Sequence, residues 1–145
     1  KHVVWFYYIQ NAYQTLTQLA EIIARNQLKL TIISDQPYMQ DDAIHELKPI
    51  FIKYEKETAY QLIQQADMVL NPRVNTALYK YKSNNKTIIA WKLGVPVAET
   101  PTDIIRFMDS ELRNTTVIEK QAIVNHKYNI CQSAEEYLKI FSMIK

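Results

Sequence analysis

The first 34 residues constrain the fold more than any other part of the chain. Val3-Val4-Trp5-Phe6-Tyr7-Tyr8-Ile9 is an unbroken apolar run of β-formers. With no polar alternation, it has the pattern of a strand buried on both faces, as in a parallel sheet. Gln10-Asn11 makes a turn, and the Asn11 side chain can cap a following helix. Ala12, Leu16, Leu19, Ala20 and Ile23 share one face at helical spacing, which predicts a helix over 12–26. Residues 28–34 (LKLTIIS) then form a second apolar strand. Strand, helix and strand in so short a span require a right-handed parallel crossover.

The same alternation continues. Residues 35–47 are polar, with Pro37, and are expected to be loop with one helical turn; 49–54 (PIFIKY) read as a third strand. Thr58 or Glu57 should begin a helix in which Ala59, Leu62, Ile63 and Ala66 share a face. A fourth strand over 67–70 is ended by Asn71-Pro72, and 73–82 (RVNTALYKYK) should be a basic, aromatic loop. Residues 82–98 (KSNNKTIIAWKLGVPVA) then read as loop, helix, stop and strand. Ser83 or Asn84 is expected to cap that helix, whose apolar body is Ile88, Ile89, Ala90, Trp91 and Leu93. Gly94, the only glycine in the chain, falls where a helix ends in a left-handed residue. Residues 95–98 form a short strand, with Pro96 near its start where a missing donor is tolerated.

Beyond it, Thr100 should cap a helix with Pro101 in its first position and Asp103 in its first turn. Thr116 and Glu119 have capping-box spacing for a helix over 116–127. Ser133 and Glu136 have it for a last helix carrying Ala134, Tyr137, Leu138, Phe141 and Ile144, expected to pack back across the sheet. The whole predicts one doubly wound α/β domain over 1–145, Rossmann-like, with five parallel strands in the order 3-2-1-4-5.

Several function classes are excluded by composition and motif. A net charge of +2, with lysines spread along the chain, argues against nucleic acid. No apolar run approaches the ~20 residues of a membrane span. A lone Cys131 leaves no internal disulfide and fits a reducing, cytoplasmic compartment, with peripheral membrane attachment open for a longer protein. After the first strand stands Ile9-Gln10-Asn11-Ala12 in place of a glycine-rich dinucleotide fingerprint, and a P-loop lacks its glycines too. His2, His45 and His126 have no ligand spacing. No G-x-S-x-G elbow occurs, so Ser34, Ser110 and Ser133 read as a strand end, a turn and a cap. Asp35, Asp41 and Asp42 read as a solvated acidic rim before a cation site, and Tyr79 and Tyr81 as packing residues before a stacking platform.

One element retains a chemical reading. A helix start presents free N–H groups and the positive end of the peptide dipoles, which suits phosphate. Here Lys82, Ser83, Asn84, Asn85 and Lys86 surround such a start. Two lysines there oppose the dipole, and a bound anion reverses that sign. The bland reading, a capped surface helix with solvated lysines, is as well supported by spacing alone.

Residues 82–98 resemble the donor-binding segment of GT-B-type glycosyltransferases, in their C-terminal Rossmann-like half. The likeness rests on the lysine-serine pair, the Asn/Lys-bearing helix start and the A-x-x-x-G-x-P-V turn from Ala90 to Val97. Ala66-Asp67-Met68-Val69-Leu70-Asn71-Pro72 is similar to the family's A-D-hydrophobic strand ending in proline. The chain departs from the retaining subgroup's pair of glutamates, whose positions fall at Tyr81 and Ile89. The resemblance implies a glycosyltransferase whose donor diphosphate lies at Lys82, Ser83, Asn84, Asn85 and Lys86. Tyr54, near the base, and Arg73, Glu99 and Thr100, toward phosphate and sugar, form the rim. It further implies a nucleotide-sugar as substrate, no cofactor and no required metal. The partners implied are an unspecified acceptor and a second, N-terminal domain without which this part is inactive. The start of the chain at Lys1-His2, directly before a strand and with no Met, fits an excised C-terminal half. A non-catalytic Rossmann- or flavodoxin-like interaction module is the alternative. The two differ on whether 82–86 faces an open crevice at the strand ends.

Overall fold

A computed structural model describes residues 1–9, 15–37, 42–73 and 84–129. Its centre is a five-stranded, all-parallel sheet in the order β3-β2-β1-β4-β5. The strands are β1 (His2–Phe6), β2 (Lys29–Ser34), β3 (Ile50–Lys53), β4 (Met68–Leu70) and β5 (Val97–Ala98). The helices are α1 (Ala20–Arg25), α2 (Asp42–Glu46), α3 (Lys56–Gln64), α4 (Asn85–Lys92), α5 (Pro101–Arg106) and α6 (Ser110–Lys127), with a 3-10 turn at Leu16–Leu19 before α1. The expected sheet, its order and its parallel sense are all present. The central strands are the core: Val3, Val4, Trp5 and Phe6 of β1, Leu30, Ile32 and Ile33 of β2, and all of β4 are buried. Leu16, Leu19 and Ile23, Ala59 and Ile63, and Ala90 and Trp91 supply the buried sides of the flanking helices. Strands buried on both faces need no polar alternation, and their sequence shows none.

Differences from expectation have local causes. β1 ends at Phe6 rather than Ile9, because Tyr7 takes φ 135° and turns the chain. Among the described residues, the expected helix over 12–26 opens with a 3-10 turn, Thr15 standing before it without a side-chain capping bond. That tighter turn places Leu16 and Leu19, three apart, together in the core. Residues 10–14 lie outside the described residues. The third helix starts at Lys56, slightly before Glu57 and Thr58. α6 starts at Ser110, not near 116: Asp109 caps it by accepting from the amides of Glu111 at 2.8 Å and Leu112 at 3.1 Å. Thr116 is therefore inside the helix, buried, with its hydroxyl donating to the Leu112 carbonyl at 2.7 Å. The expected helix after Ser133 lies outside the described residues.

Gly94 behaves as expected. Its φ is +78°, its amide donates to the Trp91 carbonyl at 3.0 Å, and the Val95 amide donates to the Ala90 carbonyl at 3.0 Å. Those two bonds are a Schellman closure, which requires the left-handed residue that glycine supplies without strain. Thr100 caps α5 as expected: its hydroxyl accepts from the Asp103 amide, and the Asp103 carboxylate accepts from the Thr100 amide in return.

The amino edge of the sheet is closed by charge. Asp67 Oδ2 accepts from the His2 amide at 2.8 Å, while Oδ1 faces Arg113 Nη2 at 3.1 Å and Lys1 Nζ at 3.6 Å. Arg113 also donates to the Phe107 carbonyl at 2.7 Å, pinning the start of α6 beneath the sheet.

Candidate functional site

In a doubly wound sheet the ligand crevice opens outside the carboxyl ends, where the strand order reverses. Here that point lies between β1 and β4. Three groups of residues meet around it.

The first is the start of α4. Asn84 stands at the N-cap position, exposed, but does not cap, since no side-chain capping bond forms. Its Oδ1 instead accepts from Arg73 Nη2. Arg73 Nε also pairs with Glu99 Oε1 at 3.3 Å. Three sequence-derived candidates, Arg73 and Asn84 from the two ends of the β4–α4 connection and Glu99 from the β5–α5 connection, are thus brought together above the ends of β4 and β5. Asn71, read from sequence only as a strand end, fixes this arrangement. Its side-chain amide donates to Thr87 Oγ1 at 3.0 Å, and its backbone amide to the Ala98 carbonyl at 2.9 Å. Thr100 lies beside this group with its hydroxyl engaged by Asp103. Asn85 is exposed in the first turn of α4, while Lys82 and Ser83 lie outside the described residues. Asn84 and Glu99 also rim a cleft of about 440 Å³ between α4, α5 and α6.

The second group is Lys86 on the end of β1. Its Nζ is 4.1 Å from the Trp5 ring centroid, 5.5 Å from that of Phe6 and 5.9 Å from that of Tyr7. The negative ring faces attract the ammonium and hold it at the reversal of strand order. The lysine therefore lies across the crevice instead of extending into solvent from the helix.

The third group is a pocket of about 140 Å³ lined by Tyr7, Tyr8, Asp35 and Tyr54, at the ends of β1, β2 and β3. Tyr7 and Tyr8 meet edge to face at 4.9 Å. Asp35 Oδ1 accepts from the Ile9 amide at 2.9 Å and so shapes the turn after β1. Burial, then the neighbouring Tyr60, Tyr7, Glu57 and Tyr8, push the Tyr54 phenol above its ordinary value, so it remains a protonated donor. Sequence placed Tyr54 on the rim and put the loop containing Asp35 at this edge. It missed Tyr7 and Tyr8 because both were assigned to a buried strand. The positive φ of Tyr7, sparsely populated for a residue with a side chain, is what turns these rings outward. Among the described residues, no group of three or more His, Cys, Asp and Glu could hold a metal ion. No helix among them is long and apolar enough to cross a membrane.

The fold and this edge together define a Rossmann-like α/β domain. No family model and no curated protein matches the sequence. Among solved structures, the chain is similar to HepE from Anabaena, crystallised in complex with UDP and glucose. The two superpose with a TM-score of 0.68 over 97% of this chain, at 12% identity. The chain spans 48% of HepE, about half its length, and at that identity the likeness is one of fold.

Proposed function

We propose that this chain is the nucleotide-sugar-binding half of a GT-B-type glycosyltransferase, with the donor laid along the carboxyl edge of the sheet. One observation carries the reading: the groups at that edge are ordered as the parts of a nucleotide-sugar are ordered. From β3 to β5 come an aromatic pocket, a lysine over β1, an arginine and helix start after β4, and a carboxylate after β5. Adjacent strands lie about 4.8 Å apart, so five strand ends span roughly 19 Å. Along that line the base lies near Lys53 and Tyr54, the diphosphate at Lys86, Asn84 and the α4 start, and the sugar toward Glu99. HepE, with the same fold, holds UDP and glucose, the two components of such a donor.

In this reading the residues serve binding and leaving-group stabilisation. Negative charge develops on the departing nucleoside diphosphate, and an ammonium and helix N–H groups fixed beforehand at that position lower the barrier. Arg73, already held between Asn84 and Glu99, positions the helix start relative to the sugar end. The acceptor and any general base come from a second domain. Amide-shift mapping with UDP tests the placement. Resonances of Asn84–Lys86 and Tyr7 should move together, and those of Asp67 and Arg113 at the opposite edge should not. Shifts confined to other surfaces would refute the site.

A further inference from the structure

β3 ends the strand order, so its outer flank has no neighbour in the sheet. Ile50 is 59% exposed, Phe51 37% and Tyr54 41%, an apolar strip where an edge strand is ordinarily blunted by charge. The backbone of that strip is free in a definite pattern. The Tyr54 amide donates to the Ser34 carbonyl at 2.9 Å, so by the two-residue repeat of the ladder Ile50 and Ile52 also bond toward β2. The N–H and C=O groups of Phe51 and Lys53 therefore point outward. Among the described residues, neither backbone has a hydrogen bond in that direction.

Antiparallel pairing joins residues whose free groups face each other. Phe51 and Lys53 can meet those of a second copy in three ways. Lys53 opposite Lys53 sets like charges together, which is destabilising. Phe51 opposite Phe51 leaves Lys53 against Pro49, which has no N–H for the lysine carbonyl. Phe51 opposite Lys53, with a two-fold axis at Ile52, satisfies every free group, because each such pair exchanges two hydrogen bonds. On one face each ammonium then meets a phenyl ring. On the other, Ile52 meets its own copy and Ile50 meets Tyr54. We propose that β3 is a self-association surface, on which two copies of this chain pair antiparallel with Phe51 opposite Lys53 and form one continuous sheet. Lys53, the one charged residue of β3, is matched in this register alone, which selects a second copy over an unrelated strand. Four strand residues a side are far fewer than the ~20–30 of a standard interface, so the dimer is weak and reversible.

Sedimentation of the chain from micromolar to millimolar concentration is the test. The unsubstituted chain should pass from monomer to dimer across that range. Phe51→Lys sets lysine opposite Lys53 twice and should weaken the dimer roughly tenfold or more, the effect of two like-charge pairs replacing two attractive ones. Phe51→Glu sets a carboxylate opposite Lys53 and should leave the affinity within about threefold, since opposite charges across strands attract. The position is exposed, so both variants should melt in urea near the unsubstituted protein, which checks that the fold is kept. A chain that stays monomeric at every concentration overturns the proposal, whether or not either variant folds. Equal effects of the two variants overturn it too: shared loss means a non-specific apolar patch, and shared persistence an interface elsewhere. A dimer weakened more by Phe51→Glu than by Phe51→Lys refutes the register.

Discussion

The two edges of the sheet use charge in opposite ways. At the amino edge, Asp67 is surrounded by the His2 amide, Arg113 and Lys1, and Arg113 Nη1 donates to the Phe107 and Met108 carbonyls. Its polar groups are matched to one another, and the result is a fastening between the sheet and α6. At the carboxyl edge, Asp35 uses one of its two oxygens, and Asn84 leaves its helix uncapped by its side chain. Incomplete pairing at one edge of an otherwise well-packed fold is where a ligand has something to contribute. Substitutions at the two edges should therefore separate stability from binding.

The largest expected effect is at the amino edge. Arg113→Ala removes the main partner of Asp67 and two carbonyl contacts, and should lower stability by about 2 kcal/mol, in the range for hydrogen bonds to charged groups. Urea melts measure this, and UDP affinity at the carboxyl edge should be unchanged. At the other edge the pattern inverts. Lys86→Ala should weaken UDP binding by ~1–3 kcal/mol while costing the fold under about 1 kcal/mol, the value of a partly exposed cation–π contact. A melt shifted as far as that of Arg113→Ala would place Lys86 among the structural residues instead.

Gly94→Ala follows, at roughly 1 kcal/mol, because alanine must adopt φ +78°. The added methyl would stand 3.3 Å from Gln121 Nε2, the movable end of a side chain, so conformational strain dominates the cost. An unchanged urea midpoint would rule out the left-handed closure. The smallest effect is a pH dependence. Burial alone raises the Asp67 pKa, but the His2 amide, Lys1 and Arg113 outweigh it and hold the value below the ordinary 3.8. A lowered folded-state pKa gives stability that is complete above the unfolded value and lost as pH falls below about 3.8 through the folded value. Asp67→Asn should flatten the stability-versus-pH curve in that acid window. An unaltered slope would mean that other carboxylates control acid unfolding.

The sheet was legible because its information is local: apolar runs, helical spacing, one glycine and one capping box each act within a few residues. What was not legible depends on partners distant in sequence. Asn84 has the side chain of a cap, but Arg73, eleven residues earlier, takes its oxygen. Thr116 and Glu119 have capping-box spacing, yet the same spacing occurs inside a helix once Asp109 has started it. The apolar run from Val3 to Ile9 carries no mark at Tyr7, where positive φ ends the strand. The pocket of Tyr7, Tyr8, Asp35 and Tyr54 needs three adjacent strands, so it follows from topology and not from any motif.

The central claim is that the carboxyl edge holds a nucleoside diphosphate by its charge, and calorimetric titration with UDP and with uridine at low and high salt tests it most directly. UDP should bind at millimolar concentration or below and weaken as salt rises, since exposed charges are screened. Uridine, lacking the phosphates, should bind far more weakly and be indifferent to salt. No UDP binding at millimolar concentration, or equal binding of UDP and uridine, would contradict the account.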